Sequence, residues 1–98
     1  MNNESKYTVK SSTSFKKQIK KLYRQGKNID KIKTVVKMLA TGEKLETKYK
    51  DHKLIENKNH IGCRECHIEP DWLLIYKVEN DDLILVLVET GSHSEILK

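Results

Sequence analysis

The sequence predicts a single α+β domain with elements in the order β-α-α-β-β-β. Two consecutive segments, residues 14–25 and 29–40, space their apolar residues as one face of a helix. The chain after residue 62 instead breaks into short runs rich in β-formers, separated by turn residues. Helices gathered ahead of the strands, rather than alternating with them, mark a helix pair packed on one face of a mostly antiparallel sheet. The 98 residues make one domain, 1–98, with a modest core.

Taken in order, Tyr7-Thr8-Val9-Lys10 starts a short strand, ended by the hydroxyl run Ser11-Ser12-Thr13-Ser14, whose residues make good N-caps. The first helix runs from about Ser14 to Gln25, with Phe15, Ile19, Leu22 and Tyr23 on one face. Lys16, Lys17, Lys20, Lys21 and Arg24 take the other, and Gly26 stops it. Asn28 caps a second helix over Ile29–Ala40, with the stripe Ile29, Ile32, Val35, Val36 and Leu39, ended at Thr41-Gly42. The short link makes the two an antiparallel hairpin. Residues 43–62 show no convincing element and read as connection. Glu65–Glu69 alternates, with Cys66 and Ile68 on one face and Glu65, His67 and Glu69 on the other. Pro70 marks a strand end or bulge. Trp72–Val78 and the apolar Leu83–Glu89 pair across the turn Glu79-Asn80-Asp81-Asp82, and Leu83–Glu89 is expected at the centre of the sheet. That strand is apolar on both sides, so loops or a partner must cover the face the helices leave open.

The net charge of +5 hides an asymmetry. Residues 1–60 hold 16 Lys/Arg against 6 Asp/Glu, whereas residues 61–98 hold 3 against 8. A one-sided basic surface is the electrostatic footprint of phosphate-backbone binding, though a lysine face also serves solubility alone. No apolar run approaches a membrane span, and the start Met1-Asn2-Asn3-Glu4-Ser5-Lys6 lacks the apolar stretch of a signal peptide. A cytoplasmic protein without membrane contact is expected.

Chemistry concentrates in three places. His52 follows Asp51, His67 and Asp71 lie four apart, and His93 closes Glu89-Thr90-Gly91-Ser92-His93. Imidazole gains and loses a proton near neutral pH, so three of them beside strand ends in a basic chain suggest proton transfer on an anionic substrate. Blander roles stand beside this: a histidine held by hydrogen bonds (as expected for His60), Asp71 capping the turn after Pro70, and Trp72 as core.

These residues carry a family resemblance. Gly62-x-Arg64-Glu65-x-His67-x-x-Pro70-Asp71-Trp72-x-Leu74-Ile75-Tyr76, followed by Glu89-Thr90-Gly91-Ser92-His93, resembles the YafQ branch of the RelE/ParE superfamily of bacterial toxins. Asp51-His52 and the helical segment with Phe15-Lys16-Lys17 agree, and the resemblance runs from Tyr7 to Leu97. It implies a RelE-like fold and a ribosome-dependent endoribonuclease that cuts messenger RNA in the A site. It also implies a cognate antitoxin, DinJ/RelB-like and often with a ribbon-helix-helix half, through which alone the toxin meets operator DNA. By the same resemblance His52, His67, Asp71 and His93 form the active site, and Trp72 and a residue near the C-terminus contact RNA. Where the family carries a terminal aromatic, this chain has Leu97, or Ile96 if the alignment slips by one. The polar stretch Glu56-Asn57-Lys58-Asn59-His60 makes the loop ahead of His67 slightly longer than usual.

Cleavage without metal needs one group to take the 2′-hydroxyl proton and another to protonate the departing 5′-oxygen, each role contributing about 10²–10⁴-fold. Asp71 is expected as general base or as the group orienting a histidine base, and His93 as general acid. His52 and His67 are expected to position phosphate or exchange protons. Lys53 and Arg64 are expected to stabilise developing charge, and Lys16, Lys17, Lys20, Lys21 and Arg24 to dock on RNA. No cofactor is expected. The Cys63-x-x-Cys66-His67 spacing matches haem attachment, and a zinc site with His60 is possible on paper, but one cysteine pair is too few for a structural zinc. Reduced thiols are the simpler expectation. Two other classes compete: a non-catalytic ParE-like toxin that binds DNA gyrase, whose relatives lack this histidine set, and a plain RNA-binding module.

Overall fold

The fold comes from a computed structural model that describes residues 5–55 and 57–97. Its elements are β1 (Thr8–Ser11), α1 (Thr13–Arg24), α2 (Ile29–Ala40), a 3₁₀ turn (Thr47–Tyr49), β2 (His52–Lys53), β3 (Arg64–Glu69), β4 (Trp72–Glu79), β5 (Ile84–Gly91) and α3 (His93–Ile96). They build a five-stranded sheet ordered β1-β5-β4-β3-β2. β1 runs parallel to β5, and the other pairings are antiparallel. β4, rather than the expected β5, is the middle strand; β5 is interior, flanked by β1 and β4.

Both long helices end as their glycines require. Past α1, Gly26 takes φ +85 and the amides of Gly26 and Lys27 donate to Tyr23 and Leu22. Past α2, Gly42 takes φ +83 and Gly42 and Glu43 donate to Leu39 and Met38. This is the paired hydrogen bonding of a Schellman C-cap. At the other end of α1 the cap is Ser12, whose Oγ accepts from Phe15 N at 2.9 Å and donates to Val88 O at 2.6 Å. One hydroxyl therefore both starts the helix and fastens it to β5.

Alternate residues of β4 point to opposite faces. Trp72, Leu74 and Tyr76 join Phe15, Leu22, Ile32, Val35 and Leu39 in the main core. Leu73 and Ile75 form a smaller cluster with Cys63 and Ile96, against which Leu54, Val88 and Leu97 pack. The open sheet face is thus covered by the chain itself, through α3 and the segment around β2. Tyr23 departs from the expected apolar stripe: it is 72% exposed, and the core-facing residues of α1 are Phe15, Ile19 and Leu22. Among the described residues no helix is long and apolar enough to cross a membrane.

Candidate active site

Four connections converge at one end of the sheet. β2 pairs with β3 so that His52 stands opposite Glu65. Glu65 and His67, two apart on β3, share a face. Asp71 sits in the turn into β4. His93 opens α3, immediately beyond β5, which meets β4 at the pair Leu73 and Gly91.

The result is a continuous row. Glu65 Oε1 lies 3.5 Å from His52 Nε2 and 3.3 Å from His67 Nε2. The His67 and His93 rings approach edge to face, 5.5 Å between centroids. His93 Nδ1 lies 2.6 Å from Asp71 Oδ1, and the His93 backbone N–H donates to the same oxygen at 3.0 Å. His52, His67, Asp71 and His93, expected together, are together, with Glu65 as the fifth member.

Each member is held from behind. His52 Nδ1 donates to Lys50 O at 2.7 Å, since a carbonyl can only accept. Asp51 accepts from Tyr76 Oη at 2.5 Å and from the Arg64 guanidinium at 3.1 and 3.3 Å. Burial, then the Asp51 carboxylate, raises the Tyr76 phenol, which therefore stays a hydroxyl donor. This lock fixes the short strand that carries His52. At the other end, Ser92 and Glu95 close a capping box around the first turn of α3, and Lys21 of α1 pairs with Glu95 at 3.0 Å. The Ser92 backbone N–H, then Lys21, hold Glu95 far below the ordinary carboxylate range, at about 2. The His93 backbone and side-chain hydrogen bonds likewise lower the Asp71 carboxyl.

Several expected roles change. Arg64 is not a free cation: its guanidinium donates to Asp51, with a third of the side chain exposed. Trp72 cannot stack on a base: it is 1% exposed and its indole N–H donates to Thr90 Oγ1 at 2.9 Å. Leu97 packs on the smaller core cluster, and its backbone N–H donates to His93 O at 2.9 Å. Lys53 is exposed next to His52, and Lys16, Lys17, Lys20, Lys21 and Arg24 are exposed on α1. Lys21, through Glu95, ties that basic face to α3. Cys63 and Cys66 belong to different clusters on opposite faces of the sheet, and His60 hydrogen-bonds to Glu89 and Asn57, so these three do not converge on one ion. Ligand atoms of Glu65, His67 and His93 do lie within 4.8 Å of one another, close enough to grip a single cation.

Glu65 is the residue that sequence reasoning missed. It stood on the correct face of the strand, but only its burial (4% exposed) and shared oxygen reveal its work. A buried carboxylate needs charged or hydrogen-bonding partners, and two imidazoles supply them.

Such a row, half exposed at its histidine ends, is the equipment of an acid–base catalyst that moves protons without changing shape. The chain belongs to the family described as "Bacterial toxin of type II toxin-antitoxin system, YafQ", matched over residues 7–98. The mRNA interferase toxin YafQ of Escherichia coli BL21-DE3 is 34% identical over 89 residues, which is 90% of this chain and 92% of that protein. The E. coli DinJ-YafQ complex contains a chain with a TM-score of 0.83 at 32% identity, covering 94% of this chain and 99% of that one. A metal-bound toxin from Helicobacter pylori superposes with a TM-score of 0.84 at 41% identity, covering 92% and 98%.

Proposed function

We propose that this toxin cuts messenger RNA on the ribosome by metal-independent acid–base catalysis. The chain is an endoribonuclease of a type II toxin–antitoxin system, as its family and its relatives named mRNA interferase indicate. The observation that carries the mechanism is the unbroken row of His52, Glu65, His67, His93 and Asp71. His67, its ring set by Glu65, takes the proton of the 2′-hydroxyl. The 2′-oxygen bonds to phosphorus and the bond to the 5′-oxygen breaks. His93 gives its Nε2 proton to that departing oxygen. The cut leaves a 2′,3′-cyclic phosphate and a 5′-hydroxyl.

Asp71 accepts two hydrogen bonds through one oxygen, so it orients His93 and offsets the charge of its doubly protonated ring. A carboxyl held below its ordinary range is a weak base, which favours this role over the general-base alternative. His52 shares Glu65 with His67 and faces the phosphate. The exposed lysines of α1 and Arg24 supply the surface that docks on ribosomal RNA. The cognate partner is a DinJ-like antitoxin, as in the E. coli complex. In this reading the antitoxin carries a ribbon-helix-helix half that contacts operator DNA, and the toxin works in the cytoplasm.

In a translation reaction with a defined message, wild-type toxin yields discrete cuts within codons and His93→Ala yields none while melting normally. Intact message accompanied by inhibited DNA gyrase would support a ParE-like toxin instead.

A further inference from the structure

Beside His67 the surface opens into a groove of about 490 Å³, between α2, the 3₁₀ turn and the end of β3. Its size falls in the range that ordinary ligand sites occupy. Lys31, Lys48, Lys50 and Tyr49 line it, together with His67 and Glu69. No role assigned to the histidine row uses it.

The groove is positively charged. Its carboxylate, Glu69, is clasped by Lys27 at 3.1 Å and Lys31 at 2.8 Å. Glu69 reaches these lysines because the β3–β4 register shifts between His67 and Glu69, which turns its side chain from the expected face toward the helices. Among the described residues the one carboxylate paired with Lys48 is the exposed Glu46, at 3.7 Å, and Lys50 pairs with none. An exposed pair at that distance holds little energy. Lys48 also lies over the Tyr49 ring, 5.1 Å from its centroid, with two-thirds of its side chain in solvent, so it can swing outward and uncover that ring face. Tyr49 packs on the main core, which leaves a supported aromatic surface between exposed lysines.

Cations beside an aromatic platform hold single-stranded nucleic acid in a characteristic way, backbone on the charges and base on the ring. The groove is also continuous with the row. His67 lines it, and Lys50 serves both sites: it lines the groove, and its carbonyl fixes His52.

We propose that the groove is a nucleotide subsite. It receives the nucleotide next to the scissile bond of single-stranded RNA, with phosphate on Lys48 and Lys50 and the base against Tyr49. The proposal rests on the ribonuclease reading above and extends it to where the strand lies.

The test measures binding of a fluorescein-labelled single-stranded RNA hexanucleotide to the His93→Ala protein across a salt series. Three changes are added in turn: Lys48→Gln with Lys50→Gln; Tyr49→Leu, which keeps apolar packing on the core; and Lys10→Gln with Lys58→Gln, which removes equal charge from exposed sites outside the groove. The groove lysine pair should weaken binding about ten-fold and flatten the slope of log affinity against log salt by about 1.4, the loss of two single-strand phosphate contacts. Tyr49→Leu should weaken binding about five-fold or more without changing the slope. The Lys10 and Lys58 pair should shift it less than about two-fold. Equal losses in the groove and control pairs would mean that only net charge matters, and would overturn the subsite. So would groove variants that bind RNA like the control yet lose affinity for a poly-glutamate peptide, since the occupant would then be an acidic protein segment. The same changes with His93 intact, measured as kcat/KM on message-programmed ribosomes, separate the two layers. Normal cutting by the groove variants refutes the subsite and leaves the nuclease reading standing. No cutting by wild type, with no RNA binding, removes both.

Discussion

Replacing Glu65 by glutamine probes the row at its least exposed point. The carboxylate is 4% exposed and one of its oxygens faces two imidazole nitrogens, at 3.3 and 3.5 Å. Glutamine keeps the volume but carries no charge, and a neutral amide oxygen in that place is a weaker acceptor for both rings. Breaking a fully buried ion pair from one side costs about 3–5 kcal/mol because a charge is stranded. Here the His52 side chain is about half exposed, so solvent screens what the substitution leaves unpaired. The expected loss is therefore nearer ~1–2 kcal/mol, the cost of an imperfectly satisfied buried group. Activity should suffer more than stability. His67 loses the group that sets its ring, and misplacement of a catalytic group by about 1 Å costs roughly 10²-fold. Urea denaturation gives the first quantity. Single-turnover cutting of a defined message on ribosomes gives the second. Wild-type cutting rates in Glu65→Gln would show that Glu65 does not organise the histidines, and the row would lose its meaning as a unit.

Three further outcomes follow from the same geometry. Asp71→Asn should lower the cutting rate by about 10²-fold or more while moving the melting temperature by no more than ~1 °C, because the group orients His93 from an exposed position; an unchanged rate would contradict that role. Glu95 should make α3 sensitive to acid. Its folded value of about 2 lies below its ordinary 4.5, so its contribution is complete above that ordinary value and disappears as pH falls toward 2. With 44% of the side chain exposed, solvent screening keeps that contribution to about 1 kcal/mol or less. Glu95→Gln should flatten this part of the acid-unfolding profile, and a profile identical to wild type would remove Glu95 from the account of α3. Finally, a chelator should leave cutting unchanged, whereas added Cu²⁺ or Zn²⁺ should inhibit by occupying Glu65, His67 and His93, whose ligand atoms lie within 4.8 Å. Activity lost to the chelator would reverse the metal-free mechanism.

Much of the fold was legible because its signals are local. Asn28 and the stripe from Ile29 to Leu39 placed α2 at the bounds the structure shows. Serine caps and Gly26 placed α1 within a residue at each end. The elements that escaped, the four-residue α3 among them, have too little chain to show a period: β2 is two residues long, and the 3₁₀ turn is three. Both exist because of distant partners. The β3 ladder recruits His52 and Lys53, and the Tyr76–Asp51–Arg64 lock holds the turn from 25 and 13 residues away. The place expected for β5 is off by one strand for a related reason. β5 has the more continuous apolar run and is interior, but the two-residue β2 adds a strand beyond β3, which leaves β4 in the middle.

The site divides in the same way. His52, His67, Asp71 and His93 were legible through motif blocks, each short and close to a strand end. Glu65 was not, because a glutamate alternating with a histidine on a strand looks like an ordinary solvated face until burial is known. For Trp72 the core role, offered beside base stacking, is the one its burial supports, and Arg64 is held by Asp51. A guanidinium and an indole suit RNA, but Asp51 and Thr90 claim them inside the fold. Glu56, part of the longer loop, lies outside the described residues. His60 in the same loop is buried against Glu89, tying that loop to β5.

Chemical identification of the ends left by a cut tests the account most directly. If imidazoles and carboxylates pass protons around a ribose-phosphate linkage, the downstream fragment must begin with a 5′-hydroxyl and the upstream one end in a 2′,3′-cyclic phosphate, with or without chelator. A 5′-phosphate beside a free 3′-hydroxyl would mean that water attacked phosphorus, and the mechanism built on this row would be wrong.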